Sequence, residues 1–223
     1  MPADVVAAVS PRELLKDRAY EALKERILSS EFPPGSFLAE RQLAEQLGMS
    51  KTPVKAALER LQFEGLIAIS PQQGIVVRDL AIQEIADQYE IRVALETFIL
   101  RSLAGKLTPE QIARVRGNLE AQRQIQGTGD VARGVELDAE FHMQFAEFFS
   151  NREILRVMRQ LRDKVQRVIT RVFRLNPGRI DTSFGEHLAI AEATIAGDGA
   201  SAAQLLEAHL DRGRRLILSP RAA

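Results

Sequence analysis

Apolar residues recur every three or four positions along most of this chain, which is the spacing of amphipathic helices. The N-terminal third breaks this pattern at a Pro-Pro-Gly turn and at glycines that end short helices. Near residue 70 the pattern changes to two short β-type runs around a Pro/Gly turn, which predicts a hairpin. The predicted elements are helices over Pro11–Phe32, Glu40–Leu47 and Ser50–Gly65, with Ser50 as an N-cap, and strands Leu66–Ile69 and Ile75–Val77.

After Arg78 the β character ends, and helical periodicity continues to Leu218. Six helices joined by short loops predict an antiparallel bundle. Their predicted bounds are 82–103, 109–127, 131–149, 152–175, 182–196 and 200–218. The sequence therefore predicts a mainly α fold, with a winged helix-turn-helix domain over 1–78 and an all-α antiparallel bundle over 79–223.

Composition narrows the possible functions. The chain of 223 residues has no cysteine, which excludes a disulfide framework, a zinc finger and a cysteine nucleophile. Thirty Lys and Arg balance thirty Asp and Glu, so the chain is no basic nucleic-acid coat. The first residues lack the basic start and apolar stretch of a signal peptide, and no run is long enough to cross a bilayer. We expect a cytoplasmic protein with no membrane partner.

The order helix, helix, glycine turn, helix and hairpin is that of a winged helix-turn-helix. The second helix of such a motif directs its N-terminal side chains at base edges in the major groove, and here these are Lys51, Thr52 and Lys55. Arg41 opens the preceding helix within reach of a phosphate. Gly74, at the hairpin tip, lets the backbone approach the minor groove or a phosphate. The expected partner is double-stranded operator DNA.

Charge in this first region is almost balanced. Residues 1–80 hold ten basic and eleven acidic side chains, which predicts weak non-specific DNA binding and reliance on a dimer. A helical protein–protein module with ordinary surface lysines is the alternative interpretation.

The stretch FLAERQLAEQLGMSKTPVKAAL over 37–58, with Leu61, Glu64-Gly65-Leu66 and Gly74, closely resembles the GntR family of bacterial transcription regulators. The resemblance covers about residues 12–78 and implies DNA contacts at positions 41, 51, 52, 55 and 74. That family usually has arginine at the positions of Lys51 and Lys55, and lysine offers a point charge in place of a planar fork. This departure from the family pattern therefore predicts a softer or shifted base preference.

All three histidines of the chain, His142, His187 and His209, lie in the second region. Asp138 precedes His142 by four residues, which places both on one helix face. Three helices of a bundle can direct side chains at one interior point, where three imidazoles and a carboxylate suit zinc, nickel or manganese. Three unrelated histidines at the surface or in the core are the alternative. The expected apolar lining is Phe141, Phe145, Leu188, Ile190, Leu205 and Leu206.

Landmarks of the second region resemble the all-helical FCD-type effector domain of the FadR branch of GntR regulators. They are Glu90–Glu96, Asp138–His142, Glu186-His187 and His209-Leu210. The resemblance implies a metal held by the Asp and the three His, and a small organic acid as effector. A six-coordinate ion would leave two positions for that effector, whereas a tetrahedral ion would leave none and would be structural.

The same resemblance places an arginine like Arg92 near the effector pocket, where it would pair with a carboxylate. A helix ion pair between Arg92 and Glu96 is the alternative. The helix 152–175 carries eight basic residues against two acidic ones. We interpret its basic side as a solvated helix face, with a patch for DNA or an acidic partner as the alternative.

We therefore expect a homodimeric, ligand-responsive transcription repressor rather than an enzyme. Two winged domains would read a two-fold-related operator. A metal sensor, in which the ion is itself the effector, is one alternative. A metal-dependent hydrolase is another, although His142 begins no HExxH pattern.

Overall fold

The computed structural model describes residues 11–70 and 74–218, and the chain divides into two compact units, Met1–Asp79 and Leu80–Ala223. The mainly helical fold class is confirmed. The described elements of the first unit are α1 (Pro11–Leu28), β1 (Phe37–Leu38), α2 (Glu40–Leu47), α3 (Lys51–Phe63), β2 (Ile67–Ser70) and β3 (Gly74–Val77).

Helices α1 and α3 pack against each other and enclose a core in which Tyr20, Leu23 and Leu61 are almost fully buried. The three strands are antiparallel in the order β1-β3-β2, so β3 lies in the middle. Strand β1 was not predicted, because its two residues are too few to show an alternating pattern. It pairs Phe37 with Val76 and converts the predicted hairpin into a small sheet.

Two local predictions for this unit are wrong. Helix α1 ends at Leu28 rather than at Phe32, because Ser30 adopts a left-handed backbone with φ of 58°. The Ser50 side chain makes no capping hydrogen bond, although Ser50 does occupy the N-cap position of α3. The turn over 71–73 lies outside the described residues.

The second unit consists, within its described residues, of six helices close to the predicted bounds. They are α4 (Ile82–Leu103), α5 (Pro109–Gln124), α6 (Val131–Phe149), α7 (Arg152–Leu175), α8 (Arg179–Ile195) and α9 (Gly199–Leu218). Thr108 caps α5 in a reciprocal pair with Gln111, and the Asn151 side chain caps α7. Helix α8 begins at Arg179, three residues before the predicted start, and this brings Arg179 into the interior.

Helix α4 packs along α9, α8 also packs on α9, and α6 packs on α7. The buried apolar core of this unit surrounds a group of buried polar side chains from α4, α5, α6, α8 and α9. Phe141, Phe145, Ile190 and Leu206 are buried as predicted. The predicted lining is wrong for two leucines on outward helix faces, because Leu188 and Leu205 are 36% and 39% exposed. Among the helices of the described residues, none combines the length and apolar character that a bilayer crossing requires.

Candidate metal centre and DNA-reading surface

Asp138, His142, His187 and His209 converge in the interior of the second unit. Each offers one ligand atom, and these atoms all lie within 4.8 Å of one another. The four side chains are buried and come from three helices, α6, α8 and α9. Asp138 Oδ1 lies 3.7 Å from His187 Nε2, and Asp138 Oδ2 lies 3.9 Å from His142 Nε2.

Each imidazole is held through its Nδ1 atom by a separate acceptor outside this group. His142 Nδ1 lies 2.6 Å from Glu96 Oε2, and His209 Nδ1 lies 2.7 Å from Glu186 Oε2. His187 Nδ1 lies 2.9 Å from Gln122 Oε1. Because an oxygen acceptor at Nδ1 fixes the proton there, the Nε2 atom of each ring keeps its lone pair for the common centre.

The donor set fits a transition-metal ion. His187 Nε2 and His209 Nε2 lie 3.4 Å apart, and two lone pairs at that distance repel each other unless a cation lies between them. Zinc–imidazole bonds of about 2.0–2.1 Å place neighbouring ligand atoms about 3–3.5 Å apart. The buried atoms Asp138 Oδ2 and His142 Nε2 have no hydrogen-bond partner among the described residues, and such atoms are costly unless they coordinate something.

Burial and neighbouring charge set the protonation of the surrounding groups. Burial lowers the pKa of His209 to about 4, and burial together with the other two imidazoles lowers the pKa of His187 well below 6.5. Burial would raise the pKa of Glu96, but Arg92 and His142 outweigh it and lower that pKa to about 2. Neutral imidazoles beside ionised carboxylates are the state that binds a cation.

Two of the three outer acceptors are themselves held by arginines. Arg92 Nε donates to Glu96 Oε1 at 2.6 Å, and Arg179 Nη2 donates to Glu186 Oε2 at 2.5 Å. Burial would raise the pKa of Glu186, yet its bonds to His209 and Arg179 lower it to about 2. The structure thus contains two Arg–Glu–His chains, a buried one that ends at His142 and one that ends at His209 through the partly exposed Glu186.

Sequence reasoning missed Glu96, Gln122 and Glu186 as partners of the histidines. The spacing of Arg92 and Glu96 did predict their helix ion pair, which is present and buried. The position of Glu186 next to His187 in the sequence indicated a role near the histidines, but its carboxylate meets His209 on the next helix. No sequence feature indicated Gln122, because its approach to His187 depends on how α5 packs on α8.

A small cavity opens beside the cluster. Polar groups on its wall include Arg92, Arg179, Ser183 and Asp138, while α7 supplies an apolar wall. Ser183 Oγ is buried and has no hydrogen-bond partner among the described residues. A small space with two guanidinium groups beside a candidate metal centre has the chemistry to hold a small anion.

The first unit carries the predicted DNA-reading residues on one face. Lys51, Thr52 and Lys55 are exposed near the start of α3, while Val54 and Leu58 on its other side are buried in the core. The fold thus leaves the predicted base-reading side chains at the surface.

Two further predicted contacts lie outside α3. Arg41 is 80% exposed on α2 and forms a surface ion pair with Glu45 at 3.0 Å. Because such exposed pairs contribute little, a phosphate can replace Glu45 at low cost. Gly74 begins β3 with φ of 80°, and a Cβ there would meet nothing within 4 Å. The backbone next to the turn is therefore open to a close approach.

The basic side of helix α7 is exposed, as its interpretation as a solvated helix face requires, except at one residue. Arg152, Arg156, Arg159 and Arg162 are exposed, as a solvated face requires. Arg167 is instead buried, because it lies on the side of α7 that packs into the bundle.

A winged helix-turn-helix unit followed by a separate helical bundle defines a class, the two-domain DNA-binding regulators. A family model described as "Bacterial regulatory proteins, gntR family" matches residues 15–77, and one described as "FCD domain" matches residues 87–212. The chain therefore belongs to the GntR family of transcription regulators and carries an FCD domain.

Curated relatives have the same character. An uncharacterised HTH-type regulator of Agrobacterium vitis is 37% identical over 127 residues, which are 56% of this chain and 74% of the relative. The Nta operon transcriptional regulator of Aminobacter aminovorans is 32% identical over 62% of this chain and 66% of its own length. The transcriptional repressor RspR of Escherichia coli is 26% identical over 92% of this chain and 90% of its own.

Solved structures share the fold. Escherichia coli McbR/YncC aligns with a TM-score of 0.78 over 94% of this chain and 98% of its own, at 23% identity. A GntR regulator from Rhodococcus sp. RHA1 aligns with a TM-score of 0.79 over 92% and 99%, at 22% identity. The curated relatives and the matching family models are those of regulators, so the chain is a transcription regulator rather than an enzyme, which does not support the hydrolase alternative.

Proposed function

We propose that this chain is a transcription repressor whose operator affinity is controlled by a small carboxylate effector bound beside a divalent metal ion. The observation that carries the proposal is the convergence of three Nε2 atoms and the Asp138 carboxylate, with two buried ligand atoms unpaired within the described part of the chain. Asp138, His142, His187 and His209 would hold zinc, nickel or manganese. The bound ion would supply a Lewis acid toward a carboxylate or hydroxyl group.

The metal proposal is tested by equilibrium dialysis of the full chain against zinc, nickel and manganese. We expect one ion per chain for the parent and a large loss of affinity in His187→Asn and Asp138→Asn. Asp17→Asn, which removes a carboxylate from the first unit, is the matched control and should bind metal like the parent. Equal binding by all four proteins would contradict the proposal.

The effector would lie in the cavity next to the cluster. Arg92 and Arg179 are on its wall, and their guanidinium groups suit a carboxylate of a small organic acid. An effector can change operator affinity only if it binds one arrangement of the protein better than another.

Operator contact would come from Arg41, Lys51, Thr52, Lys55 and Gly74. We assign the DNA-reading domain to 1–78 and the effector and metal domain to 79–223, which agrees with the division of the contacts near residue 79. A homodimer, in the manner of the FadR branch, would present two such domains to a two-fold-related operator. The repressor assignment is supported by RspR, a relative that is named a repressor.

Gel shifts separate the repressor from the metal sensor. The operator is a duplex selected from random sequences by the metal-loaded parent, and small carboxylic acids are added singly. A ligand-released repressor loses operator affinity when one of the acids is added at constant metal. In a metal sensor, the operator affinity instead changes with the free metal concentration in the absence of any acid. That result would show that the ion itself, and not a carboxylic acid, is the effector.

A further inference from the structure

His187 differs from the other two histidines in the kind of group that holds it. The acceptors at His142 and His209 are carboxylates, whereas the acceptor at His187 Nδ1 is the amide oxygen of Gln122, 2.9 Å away. Either oxygen of a carboxylate can accept the proton of an imidazole. An amide has only one oxygen, so it accepts that proton only when the oxygen is turned toward the ring. The action of Gln122 therefore depends on what fixes the direction of its amide.

The direction of the Gln122 amide is set by Asn118, one helical turn earlier on α5. Gln122 Nε2 donates to Asn118 Oδ1 at 2.7 Å, so the amide oxygen is the atom that faces His187. Gln122 is buried and Asn118 is half-buried. A reversed amide would place the Gln122 oxygen against Asn118 Oδ1, and two acceptors in contact repel each other.

Asn118 is fixed in turn by two acceptors on α6. Its Nδ2 atom donates to the backbone carbonyl oxygen of Leu137 at 3.1 Å and to Glu140 Oε2 at 3.3 Å. A backbone carbonyl oxygen can only accept, so the NH2 group of Asn118 points to Leu137 and its oxygen is left for Gln122. Leu137 directly precedes the candidate ligand Asp138. The anchor of this chain of hydrogen bonds therefore lies on a helix that itself supplies ligands.

The packing around His187 leaves the position of its proton to this chain. The ring is fully buried and is stacked on Phe141, with 4.1 Å between the ring centroids and 16° between the planes. Stacking fixes the plane of the ring but does not select the nitrogen that carries the proton, because both tautomers have the same shape. The hydrogen bond at Nδ1 makes that selection. With the Gln122 oxygen at Nδ1, the proton lies there and Nε2 keeps its lone pair.

We propose that Asn118 is a positioning residue of the candidate metal centre. It orients the Gln122 amide, which places the proton of His187 on Nδ1 and leaves Nε2 to bind an ion. Asn118 is two hydrogen bonds away from the imidazole, and its effect passes through the direction of donors and acceptors rather than through charge. This inference rests on the metal site proposed above and names a residue outside the ligand set that controls it.

Measurement of zinc affinity in the full chain, by competition with a chromophoric chelator, tests the inference. Asn118→Leu removes the orienting oxygen and keeps a side chain of similar shape. Gln122 can then turn its NH2 group toward His187, which moves the proton to Nε2 and blocks the ion. We expect the zinc Kd to rise about tenfold, the lower end of the range for groups that orient ligands. Gln124→Leu, which replaces an exposed amide on the same helix, is the matched control and should bind zinc like the parent.

A second background separates orientation from packing. Gln122→Glu replaces the amide by a carboxylate, which accepts from His187 through either oxygen and needs no orientation. In this background Asn118→Leu should change the zinc Kd by less than about twofold, so the two substitutions are not additive. A loss of packing at residue 118 would instead weaken zinc binding equally in both backgrounds, and that result would overturn the inference.

The tautomer of His187 provides a measurement that needs no metal. Nitrogen NMR of the isotope-labelled, chelator-treated full chain reports which ring nitrogen carries the proton, and His187→Asn identifies the signal. The proton should lie on Nδ1 in the parent, and the form protonated on Nε2 should appear in Asn118→Leu. An unchanged tautomer in Asn118→Leu would overturn the inference while the metal site stood. A parent that binds no zinc, nickel or manganese would overturn the metal site and this inference together.

Discussion

Glu96 Oε2 accepts a hydrogen bond from His142 Nδ1 at 2.6 Å while its other oxygen binds Arg92. One buried carboxylate thus joins the arginine of the cavity wall to a candidate metal ligand. Because Glu96 is ionised, it fixes the proton of His142 on Nδ1 and leaves Nε2 to the cluster. An anion that competes for Arg92 would act on the metal centre through this residue.

Replacing Glu96 by glutamine should weaken metal binding without removing any ligand. Glu96→Gln keeps the side-chain shape but loses the charge that orients His142, so we expect zinc or nickel affinity to fall about 10- to 100-fold. Competition with a chromophoric chelator measures the change. Glu192→Gln, an exposed substitution on α8, is the control. Parent-like affinity in Glu96→Gln would show that this carboxylate does not orient the ligand.

Removing the metal should destabilise the second unit. An ion that binds only the folded state, at a concentration a hundred times its Kd, adds about 2.7 kcal/mol to the free energy of unfolding. We expect the melting temperature of this unit to fall when a chelator is added and to recover with zinc or nickel. In His187→Asn the melting temperature should be independent of both treatments. A parent whose melting temperature is the same with and without metal would argue against ion binding in the bundle.

The metal-free protein should lose stability in acid in two steps. An unfolded histidine has a pKa of about 6.5, and burial lowers that of His209 to about 4, so the unfolded chain gains protons first as the pH falls. The loss for His209 is on the order of 3 kcal/mol between pH 6.5 and 4.

The second acid step comes from the carboxylates. Glu186, with its pKa lowered to about 2, contributes stability that is present above about pH 4.5 and is lost as the pH falls toward 2. Urea midpoints of chelator-treated protein at several pH values measure both steps. His209→Asn should flatten the first step, and a parent with a constant midpoint from pH 7 to 5 would contradict the burial of neutral imidazoles.

Gly213 and Tyr89 provide a packing test with a predicted change of sign. A Cβ built on Gly213 would lie 2.9 Å from Tyr89 Oη, so Gly213→Ala should cost about 1–3 kcal/mol. In the Tyr89→Phe background that oxygen is gone, and alanine should instead stabilise helix α9 by up to about 1 kcal/mol. Chemical denaturation of the four proteins measures the cycle. Equal effects of alanine in both backgrounds would refute the contact.

Operator binding should depend on the exposed start of α3. Lys55→Ala should weaken binding to an operator selected with the parent, and Lys51→Ala should do the same. The slope of log affinity against log salt should fall by about 1 for each lysine that contacts a phosphate. Lys16→Ala, on exposed α1, is the matched control. A Lys55→Ala protein with parent-like affinity and salt slope would remove α3 from the interface.

The sequence was sufficient for the helices, while the convergence of the four polar residues was one of two open interpretations and was favoured by the family resemblance. Asp138 and His142 share a helix face by spacing alone, and with only three histidines in the chain there were few candidates to combine. Short or tertiary features were not accessible. Strand β1 exists because β3 offers it a pairing edge, and Leu188 and Leu205 point outward because of the direction in which α8 and α9 pack.

The partners of the imidazoles were inaccessible for a related reason. Glu96, Gln122 and Glu186 come from α4, α5 and α8, and each meets a histidine on a different helix. A helix ion pair between Arg92 and Glu96 follows from their spacing, but a second bond from the same carboxylate to α6 depends on how two helices cross. Periodicity identifies the face of a helix, not the atom that it meets.

The ligand atoms and their immediate hydrogen-bond partners come from five helices, α4, α5, α6, α8 and α9. An ion bound at this point would link most of the helices of the bundle to one another. Occupancy of the centre and rigidity of the whole unit would then rise and fall together, so hydrogen exchange far from the ion should report whether it is bound.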